Sequence, residues 1–473
     1  MPVIPYHANF LQDCQDLYQF LLACKQALTP KNCTQIVSIS IQIESVDPLA
    51  ILQAISKPNQ LHFYFEKPCQ GEAIAAIDAV TCLKVEETRR FARAQAFIHS
   101  CLNDTITAGA THLPFAGPHF FCSFTFFDQP LKSASPFPAA TIFLPRWQIS
   151  RHKECCVAVA NLAITANTDL EALSKKTCRE FQSINLAKYI SLGLSFGHRP
   201  ELKKQDLTDT NNFKAAVLSA LESIQAQHFN KIVLAHAVDV ISPVPLSLAH
   251  SLNNLRQIYP DCAVFSISNG KGQSFIGASP ERLIHMHNRE LTTDALAGSA
   301  PRGKTAVEDA YLANRLLGSE KEMREHQVVI DFITDCLVRL GLLPQRSPRP
   351  QLLQLSNIQH LQTPIQARVP ANVHLLEILA ELHPTPAVAG APRDITCQRI
   401  RRYETFERAL YAAPLGWVDH QGNGEFMVGI RSALVDGCQA RLYAGAGIVA
   451  GSDPEKELAE IKLKLQALLA ALA

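Results

Sequence analysis

The stretch of sequence that decides the fold is AVFSISNGKGQSFIGASPERLIHMHNRELTTDALAGSAPRG, residues 263–303. Its short apolar runs predict four strands: Ala263–Ser268, Ser274–Gly277, Leu283–His287 and Glu290–Leu296. The sequence NGKG joins the first two runs, as glycine-rich turns do in β-hairpins. Two consecutive hairpins predict an antiparallel sheet in this part of the chain.

The sequence on both sides of this stretch predicts further strands with helices between them. The strands are Pro118–Phe127, Phe137–Trp147, Cys156–Ala163, Lys231–Val240, Phe426–Val435 and Ala440–Tyr443, and the N-terminal part also contains the short apolar stretches Ile36–Ile43 and Leu61–Phe65. The helices are Glu86–Cys101, Asn212–Gln227, Ala306–Leu340 and a last one that begins at Pro454. Many strands with few long helices are typical of an α+β protein. The polar segment 196–211 is interpreted as a connector, but no clear linker divides the chain, so residues 1–473 are expected to form a single large domain.

The composition argues against several classes of protein. The chain has 473 residues, with 44 Lys+Arg against 43 Asp+Glu, whereas a dedicated nucleic-acid binder needs a basic excess. No apolar run approaches the roughly 18 residues of a membrane span, so no membrane partner is expected. The start of the chain has no signal or transit pattern, and the 14 Cys are dispersed, which together predict free thiols in the cytoplasm. Oligomeric partners are not specified by the sequence.

Glycine is distributed unevenly along the chain. Only 5 of the 21 glycines precede residue 265, and the other 16 lie between Gly270 and Gly451. Glycine marks unusual backbone angles and close approach of the main chain to another group. The imbalance therefore predicts that the functional site lies in the C-terminal half.

Glu325 lies on the apolar face of the helix predicted over 306–340. The stripe consists of Val328, Val329, Phe332, Ile333, Cys336 and Leu340. Glu325 projects into this stripe at 100° per residue, and a carboxylate on a buried face needs a cation, a metal or a network of donors. Two interpretations are equally open: a functional site, or a residue near the helix start that reaches solvent or pairs with an arginine.

The last predicted helix repeats this pattern. Its apolar stripe consists of Leu458, Ile461, Leu465, Leu468 and Leu472. Glu457, Glu460 and Lys464 flank the stripe. Taken alone, Glu460 and Lys464 are best interpreted as an ion pair one helical turn apart. Taken together with Glu325, these glutamates offer oxygen ligands from separate elements, which suit Mg²⁺.

Glycine loops and two cations are candidates for contacts with an anion. The loops are 277–282, 297–303 and 443–448, and small residues let backbone amides approach an anionic ligand. Arg431 is either a clamp for a carboxylate or a surface strand residue. Lys231 opens an apolar strand, where a lysine more often reaches solvent, although a buried neutral lysine would serve as a base. No nucleotide-binding fingerprint or serine-hydrolase elbow is present.

Seven motifs in a fixed order make the pattern specific. They are GASPERL (277–283), LAGSAPRG (296–303), SEKEMREH (319–326), HLQTP (360–364), LHPTPAVAG (382–390), NGEFMVGIR (423–431) and YAGAGIV (443–449). Together they resemble the chorismate-utilising enzymes, and within that family the isochorismate synthases. The resemblance is strong over about 231–464. It implies one domain of two stacked, mainly antiparallel sheets flanked by helices, with a divergent half, 1–204, that contributes part of the sheets and a chorismate-binding catalytic core, 205–473.

The resemblance also implies Mg²⁺-dependent conversion of chorismate and assigns residues to it. Lys231 resembles the general base that activates a water to attack ring carbon C2. Glu281 resembles the general acid that protonates the departing C4 hydroxyl. Glu325 and Glu460 resemble the Mg²⁺ ligands, with Glu457 helping through water. A neutral base and a protonated acid are what this reaction needs, because water is a poor nucleophile and hydroxide a poor leaving group.

The same resemblance assigns the contacts with the substrate, a dianion. These residues are Gly298, Ala387, Arg431, Gly445, Ala446 and Lys464. The sequence Ala-Leu-Ala-Gly-Ser at 295–299 and the His383–Ala387 stretch favour isochorismate synthases over amine-transferring relatives. Salicylate synthases share the base and the acid and remain an alternative, as does a catalytically inactive chorismate-binding protein. The product would feed menaquinone, phylloquinone or siderophore synthesis.

Overall fold

The computed structural model describes residues 3–4, 11–28, 34–129, 135–187, 202–206, 210–355 and 358–472. The helices are α1 (Cys14–Gln26), α2 (Pro48–Ile55), α3 (Arg90–Asn103), α4 (Leu170–Ala187), α5 (Thr210–Gln225), α6 (Leu248–Ile258), α7 (Ala306–Leu317), α8 (Glu320–Arg339), α9 (Leu375–Leu382), α10 (Arg393–Tyr403) and α11 (Pro454–Leu472). The first eleven strands are β1 (Val3–Ile4), β2 (Gln35–Ile43), β3 (His62–Lys67), β4 (Glu72–Val85), β5 (Thr105–Gly109), β6 (His119–Phe124), β7 (Ala140–His152), β8 (Cys155–Ile164), β9 (Lys203–Asp206), β10 (Lys231–Ile241) and β11 (Ala263–Ser268). The others are β12 (Gln273–Ser279), β13 (Arg282–His287), β14 (Glu290–Pro301), β15 (Gln345–Arg346), β16 (Gln351–Gln354), β17 (Ile358–Arg368), β18 (Gly390–Ala391), β19 (Pro414–Asp419), β20 (Gly424–Val428), β21 (Ser432–Asp436) and β22 (Gln439–Val449).

The strands form two ladders that share β7. The first ladder runs β1-β5-β2-β8-β7-β4-β3-β11-β12-β21-β22-β10, and β9 and β18 also pair with β10. The second ladder runs β7-β6-β19-β20-β13-β14-β17, and β15 and β16 also pair with β17. Among the described strands, only the pairs of β5 with β1 and with β2 are parallel. The prediction of an α+β protein with mainly antiparallel sheets is confirmed.

Aromatic side chains fill the space where the two ladders stack. The rings of Phe63 in β3 and Phe121 in β6 have centroids 5.1 Å apart. Helices α5, α6 and α11 pack on the first ladder, and α7 and α8 pack on the second. The predicted stripe of α11, from Leu458 to Leu472, is buried, which follows from its helical spacing.

The chain crosses between the ladders at two neighbouring places. Pro280 and Glu281 connect β12, in the first ladder, with β13, in the second. Residues 429–431 connect β20, in the second ladder, with β21, in the first, and Arg431 there has a φ of 49°. Two backbone hydrogen bonds link the crossings. The amide of Ala278, in β12, donates to the carbonyl of Arg431 (3.2 Å), and the amide of Val428, in β20, donates to the carbonyl of Glu281 (3.0 Å).

Several predicted elements were wrong in their bounds, among them two helices and one strand. The helix predicted over 306–340 is two helices, α7 and α8, because the Ser319 side chain accepts a hydrogen bond from the amide of Glu322 and caps a new helix. The strand predicted over 426–435 is interrupted at the second crossing. The helix predicted from Glu86 begins only at Arg90.

Two further predictions concern segments and thiols. Within the proposed connector, β9 pairs with β10, while residues 196–201 and 207–209 lie outside the described residues.

Every cysteine in the described ranges is a free thiol, and two of them, Cys14 and Cys69, are exposed. Over the same ranges, no helix has both the length and the apolar character that crossing a bilayer demands.

Candidate active site

A cavity of about 120 Å³ lies at the two crossings, between the ladders and α8 and α11. The predicted site residues in its wall are Lys231, Glu281, Gly298, Glu325, Ala387, Arg431, Gly445, Glu460 and Lys464. Two predicted residues are not in the wall. Ala446 alternates with Gly445 and Gly447 along β22, so its side chain points to the other face of the sheet. Glu457 is buried one turn before Glu460 on α11.

Lys231 and Glu325 form an ion pair in the cavity wall. Lys231 is the first residue of β10, its side chain is 2% exposed, and its Nζ lies 2.7 Å from Oε1 of Glu325. The interpretation of Lys231 as a lysine that reaches solvent is therefore wrong. A methyl group at Gly447 would lie 3.0 Å from the same Oε1 and 3.3 Å from Cε of Lys231, so glycine leaves the room that this pair occupies.

Glu281 is buried at the first crossing. Burial raises the pKa of its carboxyl to about 8, although the charge of Lys231 opposes this shift and that of Asp294 adds to it. The amide of Glu281 donates to Oγ of Ser279 at 3.2 Å, and that hydroxyl donates to the carbonyl of Val428 at 2.6 Å. A rigid corner therefore presents a carboxyl group that is protonated at neutral pH.

Arg431 reaches the cavity from the second crossing. Its Nη2 lies 3.4 Å from Nε2 of His360, and Nδ1 of His360 lies 2.8 Å from Oγ of Ser299. Burial, together with the charges of Arg431 and Lys464, holds the pKa of His360 well below its usual range. A neutral His360 accepts a hydrogen bond from the guanidinium through Nε2 when Nδ1 carries the proton. His360 also lines the cavity, and sequence analysis did not assign it to the site.

Lys464 and Glu460 form the ion pair that the helical spacing predicts. The Nζ of Lys464 lies 2.7 Å from Oε1 of Glu460 and donates to the carbonyl of Gly445 at 2.9 Å. Burial alone would raise the pKa of Glu460, but Lys464 outweighs it and the pKa is lowered. A charged carboxylate and a charged amine therefore lie side by side in the cavity wall.

Glu322 is a further carboxylate that sequence analysis missed. Burial and the charge of Glu325 raise its pKa, and burial, with a smaller contribution from Glu460, raises that of Glu457. Glu322 is three residues before Glu325 and so shares its helix face, which is the signal that would have revealed it. The four glutamates 322, 325, 457 and 460 thus act on one another electrostatically.

The four glutamates fit a hard cation by the chemistry of their donors. Carboxylate oxygens are the ligands that Mg²⁺ prefers. Burial is the main cause of the raised pKa values of Glu322 and Glu457, and the charges of neighbouring glutamates add to it, so a positive charge placed among them would be stabilised. Over the described ranges, no three His, Cys, Asp or Glu side chains converge into a ligand sphere. Glu325 and Glu460 are each paired with a lysine.

Gly298 and Tyr411 shape two other parts of the wall. Gly298 has a φ of 78°, and a methyl group on it would lie 3.3 Å from Cβ of Glu322. The β14–β17 register shifts there, as it does at a β-bulge, where glycine is favoured. The Tyr411 hydroxyl would lie 2.7 Å from a methyl group at Gly445. Both glycines therefore hold open space that a side chain would fill.

Comparison with known proteins places this site in a family. The family model described as "Chorismate binding enzyme" matches residues 20–473. A salicylate biosynthesis isochorismate synthase of Pseudomonas aeruginosa is 32% identical over 445 residues, which are 93% of this chain and 90% of that protein. The isochorismate synthase MenF of Bacillus subtilis is 29% identical over 461 residues, which are 93% of this chain and 94% of that protein.

A solved structure has the same fold. It is that of MenF, the menaquinone-specific isochorismate synthase of Escherichia coli, with a TM-score of 0.77 and 26% identity over 98% of this chain and 100% of that one. The chain therefore belongs to the chorismate-binding enzyme family.

Proposed function

We propose that the protein is an isochorismate synthase that converts chorismate reversibly into isochorismate. The observation that carries this proposal is that Lys231 and Glu281 line one cavity, and that Glu281 is protonated at neutral pH because burial raises its pKa to about 8. A base and an acid at two places in one wall are what a reaction at C2 and C4 of a single ring requires.

Lys231 is the base and Glu281 the acid in this proposal. The neutral amine of Lys231 takes a proton from a water molecule, and the water oxygen bonds to C2. Both ring double bonds shift, from C1=C2 to C1=C6 and from C5=C6 to C4=C5, as the C4–O bond breaks. Glu281 gives its proton to the departing hydroxyl, which leaves as water. The hydroxyl group has then moved from C4 to C2, and the atoms of chorismate and isochorismate balance.

Cations and backbone amides hold the substrate carboxylates. Arg431 and Lys464 supply positive charge in the wall, and the strand around Gly445 and Ala446 supplies main-chain groups at close range. Because β22 has small residues at these positions, the ring can approach the backbone. Gly298 and Ala387 complete the wall beside the ring.

Mg²⁺ would be held by Glu325 and Glu460, with Glu457 contributing through water. The ion would supply charge stabilisation at a substrate carboxylate, which is the usual contribution of a bound divalent cation. Glu322, on the helix face of Glu325, is the additional carboxylate that would tune this site. Two features support this assignment: the carboxylate oxygens are suitable ligands for Mg²⁺, and burial and the charges of Glu325 and Glu460 raise the pKa values of the other two glutamates.

We extend the proposal to the chain as a whole. Residues 205–473 form the chorismate-binding core, and residues 1–204 complete the ladders, within one large domain. The protein works in the cytoplasm, and isochorismate feeds menaquinone, phylloquinone or siderophore synthesis. The relatives include a menaquinone-specific isochorismate synthase and an isochorismate synthase of salicylate biosynthesis, which supports more than one destination for the product.

Product analysis tests the proposal. Purified protein is incubated with chorismate and Mg²⁺ without ammonia, and the products are separated and identified. Isochorismate as the sole product is expected. Release of salicylate and pyruvate would instead identify a salicylate synthase. Unchanged chorismate would contradict both activities.

A further inference from the structure

A second cavity lies behind Glu281. Its volume is about 210 Å³, and Pro280 and Glu281 line both this cavity and the substrate cavity. Two residues in its outer wall, Cys69 and Asp261, are exposed. Glu281 therefore forms a partition between the substrate cavity and a second cavity that reaches the protein surface.

Asp294 presents a buried carboxylate oxygen in this second cavity. Its Oδ2 accepts a hydrogen bond from Nε of Arg282 at 2.9 Å and lies 2.8 Å from Nη2. Its Oδ1 is buried and has no well-aligned hydrogen-bond donor in the described part of the chain. The side chain of Gln362, in the same cavity wall, acts on the carboxyl group as a more distant donor and opposes the rise in its pKa that burial causes. Buried carboxylate oxygens need a donor, and the cavity is far larger than the roughly 10–15 Å³ that one water needs. Water in the cavity is therefore the expected partner of Oδ1.

Ionisable groups continue outward from Asp294. Glu425 is buried in the same cavity wall, and its Oε2 lies 2.6 Å from Nζ of Lys67. Lys67 also lies 3.2 Å from Oε2 of Glu72, which is half-buried. The polar wall thus extends from the buried acid to groups in contact with solvent, as a path for protons requires.

The proposed reaction creates the need for such a path. Each turnover leaves one extra proton on Lys231 and removes one from Glu281. Lys231 faces the substrate cavity and can release its proton there when product leaves. Glu281 must regain a proton before the next turnover, and product blocks the substrate side until it departs. A second entrance removes that delay.

We propose that protons reach Glu281 through the second cavity. Asp294 is the positioning residue in this path, because it orients the water molecule that gives a proton to Glu281. This inference rests on the proposed function of Glu281 as the general acid. An acid in solvent gives a proton to water in the cavity, and that water gives a proton to the Glu281 carboxylate, so that charge and protons balance. Burial raises the pKa of Asp294, and the Arg282 guanidinium opposes this shift.

Two variants test the path by different means. Asp294→Asn removes the carboxylate, and Ala263→Leu narrows the cavity without changing a charge, because Ala263 lines it. Asp239→Asn is the matched control, since Asp239 forms a similar ion pair with Arg441, at 2.8 Å and 3.0 Å, and lines neither cavity. The rate of a single turnover, with enzyme in excess over chorismate, is compared with the steady-state kcat at pH 7.

Slow re-protonation has a distinctive kinetic signature. For Asp294→Asn and Ala263→Leu we expect an unchanged single-turnover rate and a steady-state kcat that is lower by a factor of about ten. A burst of isochorismate should precede the slow phase. Added imidazolium is a small acid. It should restore the kcat of Asp294→Asn, whose cavity keeps its volume because asparagine and aspartate are nearly the same size. The control should behave as the parent protein does.

The outcomes separate this inference from the proposed function. A parent-like kcat in both variants would overturn the proton path while leaving isochorismate synthesis intact. So would an equal loss of single-turnover and steady-state rates, which indicates a structural effect. If the parent protein itself makes no isochorismate, the proposed function fails, and the proton path fails with it.

Discussion

The Nζ of Lys231 lies 2.7 Å from Oε1 of Glu325, so the proposed base is paired with a proposed metal ligand. In this arrangement the amine and the carboxylate oxygen are engaged with each other. Lys231 accepts a proton only when it is neutral, and Glu325 binds a cation only when an oxygen is free. The pair therefore describes a resting arrangement that has to open before the reaction proceeds.

Lys231→Ala should abolish most of the isochorismate formation. Loss of a general base costs typically 10²–10⁴-fold in rate, and we expect kcat to fall by about that factor. The measurement is isochorismate production at saturating chorismate. Lys271→Ala, in the exposed turn between β11 and β12, is the control and should keep full activity. A Lys231→Ala protein as active as the parent would refute the assignment of the base.

Glu281 should impose a loss of activity at high pH. Burial raises its pKa to about 8, so the acid form that donates a proton disappears as the pH rises through that value. We expect kcat/KM to fall above about pH 8 in the parent protein. Glu281→Gln, which has no proton to give, should lose about 10²–10⁴-fold at every pH. An alkaline limb of the same shape in the glutamine variant would contradict this assignment.

The ionisation of Glu281 should also change the free energy of unfolding of the protein with pH. The pKa of Glu281 is raised in the folded state from an ordinary value near 4.5 to about 8. The unfolded chain therefore ionises first, and the parent loses stability as the pH rises between these two values. Urea unfolding from about pH 5 to pH 8 should thus show Glu281→Gln gaining stability relative to the parent. A constant difference across this range would show that burial does not raise the pKa.

Glu325→Gln should weaken the dependence of activity on Mg²⁺. An amide is a poorer ligand than a carboxylate for a hard cation, so the Mg²⁺ concentration for half-maximal activity should rise by about tenfold or more. Titration of chelator-treated protein with Mg²⁺ measures it. Glu320→Gln, at an exposed position on the same helix, should leave the titration unchanged. Equal Mg²⁺ dependence in Glu325→Gln and the parent would remove Glu325 from the ligand set.

Gly447→Ala should damage the site more than the fold. The added methyl group would lie 3.0 Å from Oε1 of Glu325 and 3.3 Å from Cε of Lys231, so both side chains have to move. Misplacement by about 1 Å can cost 10²-fold, and we expect kcat/KM to fall by about tenfold or more, with little change in Tm. Gly318→Ala, at the end of α7, is the control. Full activity in Gly447→Ala would show that the pair is not held by this glycine.

Local patterns in the sequence predicted the elements that hold the site. The apolar strand that begins at Lys231, the stripe of α11 and the hairpins of 263–303 were all found, because each depends on periodicity or turn chemistry. The glycine imbalance correctly indicated the C-terminal half as the source of the cavity wall. These features are properties of contiguous residues.

Features that depend on pairing between distant strands were not predictable. The strand predicted over 426–435 has the apolar character of one strand, but the chain changes ladders at 429–431. The second cavity depends on β13, β14 and β20 lying side by side, which no single segment reveals. Glu322 was missed for a different reason, because its helix face was judged from its apolar residues alone.

The two crossings determine which parts of the site can vary independently. The amides of Ala278 and Val428 tie the corner of Arg431 to that of Glu281, so an insertion or deletion in one corner displaces both the acid and the guanidinium. Selectivity among related ring acids is therefore expected to change through residues outside these corners, such as Gly298 and Ala387. The two corners therefore fix the positions of the acid and the guanidinium, whereas substitutions at Gly298 and Ala387 can change the shape of the cavity without moving either corner.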